Sequence, residues 1–428
     1  MSEPEPLRRQ LTLWGIFALV INGLIGAGIF GVGAEAARLT GGYSPAMFVL
    51  CALIALPLIL SFAELSSYFR GTGGPIRYAR EGFGDFAGFQ TGWMVYLARA
   101  TSYSANLVLL VNSLAALWPP ANMGVTRMVL LALIAGGLTV LNVVGTDWAI
   151  KTLSGLTVLK LIPLIGLVVL GLGSLALIPR SGEAPPPSSD VGEAALVIFY
   201  AYVGFTNALI PAGEAKEPER DMPRALFLAL GSATVLYVLI QAVSMGVVED
   251  LASSSAPLID VGRGLLGPTG GLLIAGGIVL SVGGNLVASA FSAPRITYAL
   301  AREGDLPAFF GRVHQRFNTP HVSVIVYGVF AFAMAAAGSF VWLAKMSVLV
   351  RVLFYVLCIA ALPRLRARFR HRSGTFVLPG GLLVPALGIL VSLWLLLHVK
   401  SVSWLTTAGG LAVGCALYFT VRRKPSAA

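Results

Sequence analysis

The residues best suited to chemistry form a glycine-rich run near the start of the chain, from Asn22 to Gly31. The run lies inside an apolar segment, Leu11–Ala34, that is long enough to cross a bilayer. Each glycine costs roughly 1 kcal/mol of helix propensity relative to alanine, so this density favours an opening in the helix. N–H groups at the start of the resumed helix would then bind an anion. Interrupted membrane helices are typical of secondary transporters.

Two other interpretations of the same run compete with an opened helix. Glycine is common in membrane helices because it lets neighbouring backbones approach, so close helix packing explains the run about as well. The segment Gly26–Gly31 also spells G-x-G-x-x-G. A dinucleotide site would need a preceding strand and a soluble βαβ unit, and the flanking sequence is membrane helix instead.

The composition is that of a membrane protein with many spans. Of 428 residues, 57% are hydrophobic and only 11% are charged, whereas soluble domains carry about 25% charged residues. The net charge of +11 is explained by basic loops and anionic lipid rather than by nucleic acid. Cys51, Cys358 and Cys415 all lie in apolar segments, and no spacing typical of a metal site occurs. We therefore predict no catalytic residue, cofactor, metal or nucleic-acid partner.

Apolar runs of about 20 residues predict an all-α protein with twelve transmembrane helices. With both termini in the cytoplasm, most of the 30 Lys and Arg residues fall on the cytoplasmic side, as the positive-inside rule requires. The predicted spans are Leu11–Ala34, Pro45–Phe69, Phe86–Trp118, Thr126–Val144, Trp148–Ile178, Val191–Ala212, Pro223–Val248, Gly270–Tyr298, Val322–Ser339, Leu343–Leu362, Leu382–Val399 and Trp404–Val421.

The sixth predicted span, like the first, contains a segment that indicates an interrupted helix. It contains an aromatic segment with a glycine, Phe199–Phe205, and it follows a proline-rich external linker, Ser181–Asp190. Interrupted segments at corresponding positions of two halves indicate a transport site. The linker suggests three parts: residues 1–178 as tail and first five-helix repeat, 191–362 as the second repeat, and 363–428 as two further helices and a tail.

Together these motifs make the chain resemble the amino acid–polyamine–organocation superfamily along most of its length. The segments that carry the resemblance are Ile25–Phe30, Phe62–Ser66 with Gly73–Arg80, Gly88–Trp93, Lys160–Leu164, Pro211–Ala225 and Pro294–Gly304. The resemblance implies a leucine-transporter-like fold with a 5+5 inverted repeat and broken first and sixth helices. Substrate would bind between the two breaks.

The resemblance also implies roles for individual residues. An α-carboxylate would meet N–H groups around Gly26, Ala27, Gly28 and Ile29, and an α-ammonium would meet carbonyls of the two breaks. Tyr200 occupies the place of a gating aromatic, against the plain alternative of packing. The complete set of residues predicted to bind substrate is Leu24, Ile25, Gly26, Ala27, Gly28, Ile29, Arg99, Tyr103, Tyr200 and Val203.

Charged residues inside predicted spans carry a large free-energy cost, so we take each one as a candidate functional residue. By resemblance, Lys160 lies beside the first span in the space of a sodium ion. A desolvated lysine loses its proton readily, so Lys160 is either a proton-coupling residue or a fixed cation. Arg99 borders the pocket in relatives, and we favour a structural role over binding of an acidic side chain; Arg351 is equally ambiguous. Glu64 is expected to tether cytoplasmic loops.

The predicted function is secondary transport of amino acids across the cytoplasmic membrane, proton-coupled and without sodium. The alternatives are a sodium-independent exchanger of amino acids or related amines and, less favoured, a channel or a substrate-sensing receptor on the same scaffold. A membrane enzyme is disfavoured because the sequence lacks G-x-S-x-G, a zinc motif and paired carboxylates within a span. The sequence names neither the substrate nor the oligomeric state.

Overall fold

The computed structural model describes residues 11–69, 73–145, 160–177, 184–206, 209, 215–369 and 375–422. Within these ranges the regular secondary structure is helical, apart from one isolated bridge between Leu11 and Ala215. The α-helices are α1 Leu13–Leu24, α2 Ala27–Gly31, α3 Gly33–Thr40, α4 Ser44–Ser67, α5 Gly74–Phe83, α6 Asp85–Ala115, α7 Gly124–Val144, α8 Leu161–Gly171, α9 Ser188–Ile198, α10 Pro218–Val247, α11 Pro257–Ser292, α12 Pro294–Arg302, α13 His321–Ala337, α14 Phe340–Ala360, α15 Leu362–Phe369, α16 Leu383–Leu397 and α17 Ser401–Arg422.

Length and composition make this a polytopic membrane protein. Among the described residues, eight helical stretches are long and apolar enough to cross a membrane. Three shorter apolar helices, Leu161–Leu175, His321–Ala337 and Leu383–Leu397, coincide with further predicted spans. The all-helical, polytopic class is thus confirmed, whereas the count of twelve, the inverted repeat, the division into three parts and the orientation of the termini stay predictions.

Some features singled out in the sequence lie outside the described residues. They include the first part of the fifth predicted span (residues 148–159), the start of the proline-rich linker (181–183) and the first part of the motif after the sixth span (211–214).

Helix α6 is the central element of the bundle. It is buried along most of its length and packs against α11, α13 and α14. Small residues on its surface allow this close packing: Ala100 and Ala105 are fully buried, and the Ser104 hydroxyl donates to the carbonyl of Ala331 on α13 at 2.8 Å. In a membrane such close contact between backbones is a main source of helix association.

The helix of the first span is interrupted as predicted. Thr12 caps α1 by accepting a hydrogen bond from the Gly15 N–H, and α1 ends at Leu24. Gly26 is extended (φ −125°, ψ −151°), and α2 begins at the next residue. Because α1 packs on α10 while α2 packs on α11, the two halves are held by different partners.

Candidate functional site

The two helix interruptions face a common cavity of about 440 Å³, within the range typical of small-molecule sites. Its walls come from α1, α2, α6, α11, α14 and the segment that follows α9. The lining residues are Leu19, Asn22, Gly23, Leu24, Gly26, Ala27, Gly28, Arg99, Ser102, Tyr103, Asn106, Tyr200, Val203, Gly204, Asn285, Ala288, Ser289, Phe291, Ser292 and Arg351.

The first break places backbone donors at the cavity. Ala27 and Gly28 line it and open α2, and the first N–H groups of any helix have no acceptor within that helix. No side chain caps this end. The arrangement therefore presents partly positive backbone groups to whatever occupies the cavity. Ile25 and Ile29, which were predicted beside them, are buried and do not line the cavity.

Not every predicted carbonyl is equally available for a cation. The Leu24 carbonyl already accepts hydrogen bonds from the Gly26 N–H at 2.9 Å and the Tyr237 hydroxyl at 2.7 Å. A carbonyl oxygen has two lone pairs, so these two donors occupy both of its acceptor positions. The side-chain hydrogen bonds that the Val203 carbonyl receives are long, from the Thr206 hydroxyl at 3.3 Å and the Tyr355 hydroxyl at 3.4 Å.

Glycine is required where the two breaks touch each other. A Cβ atom at Gly28 would lie 2.5 Å from the Ala201 Cα and 2.7 Å from its Cβ. A Cβ atom at Gly204 would overlap the Gly23 carbonyl. The backbones on both sides are at contact, and no rotamer change can make room. Close packing therefore explains Gly28, and the opened helix explains Gly26, so each explanation accounts for part of the glycine run.

Tyr200 lies in the second break. Helix α9 ends at Ile198 and continues as a 3₁₀ turn, Phe199–Ala201. The Tyr200 ring is 7% exposed and meets the edge of Phe340 at a centroid distance of 6.0 Å. Its hydroxyl is 3.3 Å from the Asn106 Oδ1 and 3.4 Å from the Ser102 carbonyl. The ring forms part of the cavity wall, and its hydroxyl makes only long hydrogen bonds.

Lys160 contacts the backbone at the first break. Its Nζ donates to the Asn22 carbonyl at 2.8 Å, the Asn22 Oδ1 at 2.5 Å and the Ile25 carbonyl at 2.6 Å. The residue is only 2% exposed. Three acceptors match the three donors of an ammonium group. The carbonyls freed at the end of α1 are therefore satisfied by a buried cation from the residue that precedes α8.

Two arginines border the same cavity. Arg99 on α6 donates to the Ser292 hydroxyl at 2.6 Å, and Arg351 on α14 donates to the Ser102 hydroxyl at 3.0 Å. Tyr103 packs against Tyr327 at a centroid distance of 5.4 Å, so its ring is braced where it lines the cavity. Both residues predicted on α6 thus reach the cavity, and Arg351 joins them from α14.

Ion pairs connect helices at the predicted external end of the site. The Lys345 Nζ lies 2.6 Å from Glu193 and 3.6 Å from Glu35, and Lys400 lies 3.2 Å from Glu193. Glu35 belongs to α3, Glu193 to α9 and Lys345 to α14. The contacts of Lys345 hold α3 and α9 close to α14.

A different set of ion pairs lies at the opposite end. The buried Glu64 accepts from Arg366 at 2.6 Å and from the Leu378 N–H at 3.0 Å, so it ties α4 to the segments after α14. Asp305 lies 2.8 Å from the Arg80 guanidinium. Burial raises the pKa of the Asp305 carboxyl above its ordinary value, and the charges of Arg80 and Arg422 offset part of this shift.

Several cavity residues were not found from the sequence. Ser102 and Asn106 were missed, although they recur with the predicted Arg99 and Tyr103 at i, i+3, i+4 and i+7 on one face of α6. Polar residues of α11 follow the same spacing, at Asn285, Ser289 and Ser292. A search for polar residues at helical spacing inside apolar spans would have found both faces.

Comparison with known proteins agrees with this architecture. Residues 11–419 match a family described as amino acid permease. The chain is 27% identical to the serine/threonine exchanger SteT of Bacillus subtilis, over 99% of both chains. It is 27% identical to the branched-chain amino acid permease BcaP of the same organism, over 99% of this chain and 95% of BcaP. It is 26% identical to a Bacillus subtilis methylthioribose transporter, over 99% of this chain and 96% of that protein.

Proposed function

Because the chain belongs to the amino acid permease family, within the superfamily that its motifs resemble, we propose that it moves amino acids across the cell membrane by alternating access. The observation that carries this proposal is the meeting of two interrupted helices at one cavity, with Gly28 against Ala201. The family and the relatives are transporters and not enzymes, which supports a carrier rather than a membrane enzyme. A channel or a sensing receptor would not need two helix breaks that meet at one site.

In this proposal the backbone binds the groups that all amino acids share. The α-carboxylate accepts from the N–H groups that open α2, around Ala27 and Gly28, where the helix dipole favours an anion. The α-ammonium donates to carbonyls of the second break, at Tyr200 and Val203. Leu24 contributes less than the sequence suggested, because two donors already use its carbonyl.

The cavity lining favours an inward-facing state. It reaches Leu19 on α1 and Phe291 and Ser292 on α11, which lie toward the predicted cytoplasmic side. At the other end, the ion pairs of Lys345 with Glu193 and Glu35 close the bundle. In the outward-facing state these pairs would open and the first half-helix, α1, would close over the site.

Transport in this proposal does not need sodium, because the Lys160 ammonium already binds the carbonyls of Asn22 and Ile25. Two versions of its role follow. In one, Lys160 takes up and releases a proton as the bundle moves, since desolvation and facing carbonyls have opposite effects on its charge. In the other, it stays charged, and the protein is a sodium-independent exchanger of amino acids or related amines, like the relative named as an exchanger.

Tyr200 variants test whether the cavity wall closes on substrate. Tyr200→Ala is expected to weaken amino acid uptake in proteoliposomes about tenfold, because aromatic packing contributes about 0.5–1.5 kcal/mol beyond its area. Tyr200→Phe should keep most of the uptake, since the hydroxyl makes only long bonds. Tyr298→Ala, on α12 and outside the cavity lining, is the matched control. If Tyr200→Ala took up amino acids at the wild-type rate, Tyr200 would not be a gate.

A further inference from the structure

The described side chains that line the cavity include positive charges and no negative ones. Its described lining contains two guanidinium groups, Arg99 and Arg351, and no aspartate or glutamate. A second, smaller cavity of about 30 Å³ is lined by the same two arginines. Both side chains are partly accessible rather than fully buried. Both positively charged side chains thus line the same cavity.

The described partners of Arg351 are all neutral oxygen atoms. Its Nη1 donates to the Ser102 hydroxyl at 3.0 Å, to the Ala98 carbonyl at 3.3 Å and to Ser347. Every one of these bonds comes from the same terminal nitrogen. Serine hydroxyls position the guanidinium, but they supply no negative charge to balance it.

Placing the Arg351 guanidinium inside a membrane protein among neutral partners, in a cavity that a second arginine also lines, is unfavourable without an anion. Arginine stays protonated in proteins, so it cannot escape the cost of burial by losing its proton. Like charges also repel more strongly in a medium of low dielectric constant. Charged residues at such depth mark substrate pathways or pair with a counter-ion, and a bidentate carboxylate is the ligand that the guanidinium geometry fits best.

We propose that Arg99 and Arg351 form a subsite for a second acidic group, so that the substrate is an amino acid with a carboxylate on its side chain. This deepens the proposed function and rests on it: the α-groups bind at the two helix breaks, and the side-chain carboxylate binds the arginines. Ser102 and Ser292 hold the guanidinium groups in position. The sequence alone favoured a structural role for Arg99; the shared cavity with Arg351 favours the subsite.

Isosteric ligand pairs test the subsite. Binding of L-glutamate, L-glutamine, L-aspartate and L-asparagine to the purified full-length protein is measured by calorimetry. The wild-type protein is expected to bind one of the two acids at least about tenfold more tightly than its amide, because charge-assisted hydrogen bonds are roughly twice as strong as neutral ones. Equal affinity for acid and amide in both pairs would overturn the subsite, whatever the variants do.

Arginine variants test whether the preference for the acid over the amide arises at Arg99 and Arg351. Arg351→Gln and Arg99→Ala are expected to remove the preference for the acid while leaving binding of the amide within about threefold. Arg351→Lys should recover part of the preference, since it keeps the charge without the planar fork. The matched control is Arg127→Gln: Arg127 donates to the Gly338 carbonyl at 3.3 Å and lies outside the cavity lining.

The remaining outcomes separate the two proposals. Equal weakening of acid and amide in Arg351→Gln would mean that the arginine binds the α-carboxylate or is structural, and would overturn the subsite but not amino acid binding. Binding of other amino acids but of none of these four would overturn the subsite alone, whereas no binding of any amino acid by the wild-type protein would overturn the proposed function itself. If Arg351→Gln fails to fold, the comparison of acid with amide in the wild-type protein still decides the matter.

Discussion

Lys160→Ala is expected to reduce amino acid uptake in proteoliposomes by at least about tenfold. The Lys160 ammonium satisfies the carbonyls of Asn22 and Ile25 at the end of α1. Without it these buried acceptors lose their partner, at about 1–3 kcal/mol for each unsatisfied group, and 1.4 kcal/mol corresponds to about tenfold in an equilibrium constant. Lys160→Met, which keeps most of the volume and removes the charge, should behave like the alanine variant.

One control variant and one further measurement make the Lys160 result interpretable. Lys400→Ala removes an exposed lysine that pairs with Glu193, and exposed pairs contribute little, so its uptake should stay close to that of the wild type. An inward proton gradient then distinguishes the two versions of the role. Stimulation of wild-type uptake that disappears in Lys160→Met supports proton coupling; uptake indifferent to the gradient supports a fixed cation. Full activity of Lys160→Ala would contradict both.

Gly28→Val is expected to abolish substrate binding while the protein still reaches the membrane. Even the Cβ atom would lie 2.5 Å from the Ala201 Cα, so valine must push the two breaks apart. Overpacking of this kind costs about 1–3 kcal/mol, and it acts where the N–H groups of α2 meet the proposed carboxylate. The measurement is ligand-induced thermal stabilisation of the purified variant, with membrane yield measured in parallel.

Gly231→Val is the matched control for this substitution. Gly231 lies in α10, and a Cβ atom there meets nothing within 4 Å. The same valine should therefore leave ligand binding and membrane yield close to the wild-type values. Normal affinity in Gly28→Val would refute both the close contact of the two breaks and the anion site at the start of α2.

The sequence was informative wherever a property is local. The glycine density between Gly23 and Gly31 predicted an interruption, and α1 indeed ends at Leu24. Apolar runs located the helices because spanning segments must satisfy their backbone internally. The buried charge of Lys160 marked a special residue, and the structure places it against Asn22 and Ile25.

The remaining features depend on contacts between distant parts of the chain. Nothing near Gly28 in the sequence shows that Ala201 will lie against it, and nothing near Arg351 shows that it will reach the Ser102 hydroxyl. The sequence also does not show whether a carbonyl is available, because the Tyr237 hydroxyl that donates to the Leu24 carbonyl comes from α10. Such pairings are set by helix packing, which periodicity within one helix cannot specify.

Counterflow in proteoliposomes tests the central claim, that this protein is a sodium-independent carrier of amino acids, most directly. Vesicles are preloaded with unlabelled amino acids, and entry of each labelled amino acid is followed with potassium as the only metal cation. We predict a transient accumulation of at least one amino acid that requires preloading and is unchanged when sodium replaces potassium. Accumulation that requires sodium, entry that ignores preloading, or no entry of any amino acid would contradict the account.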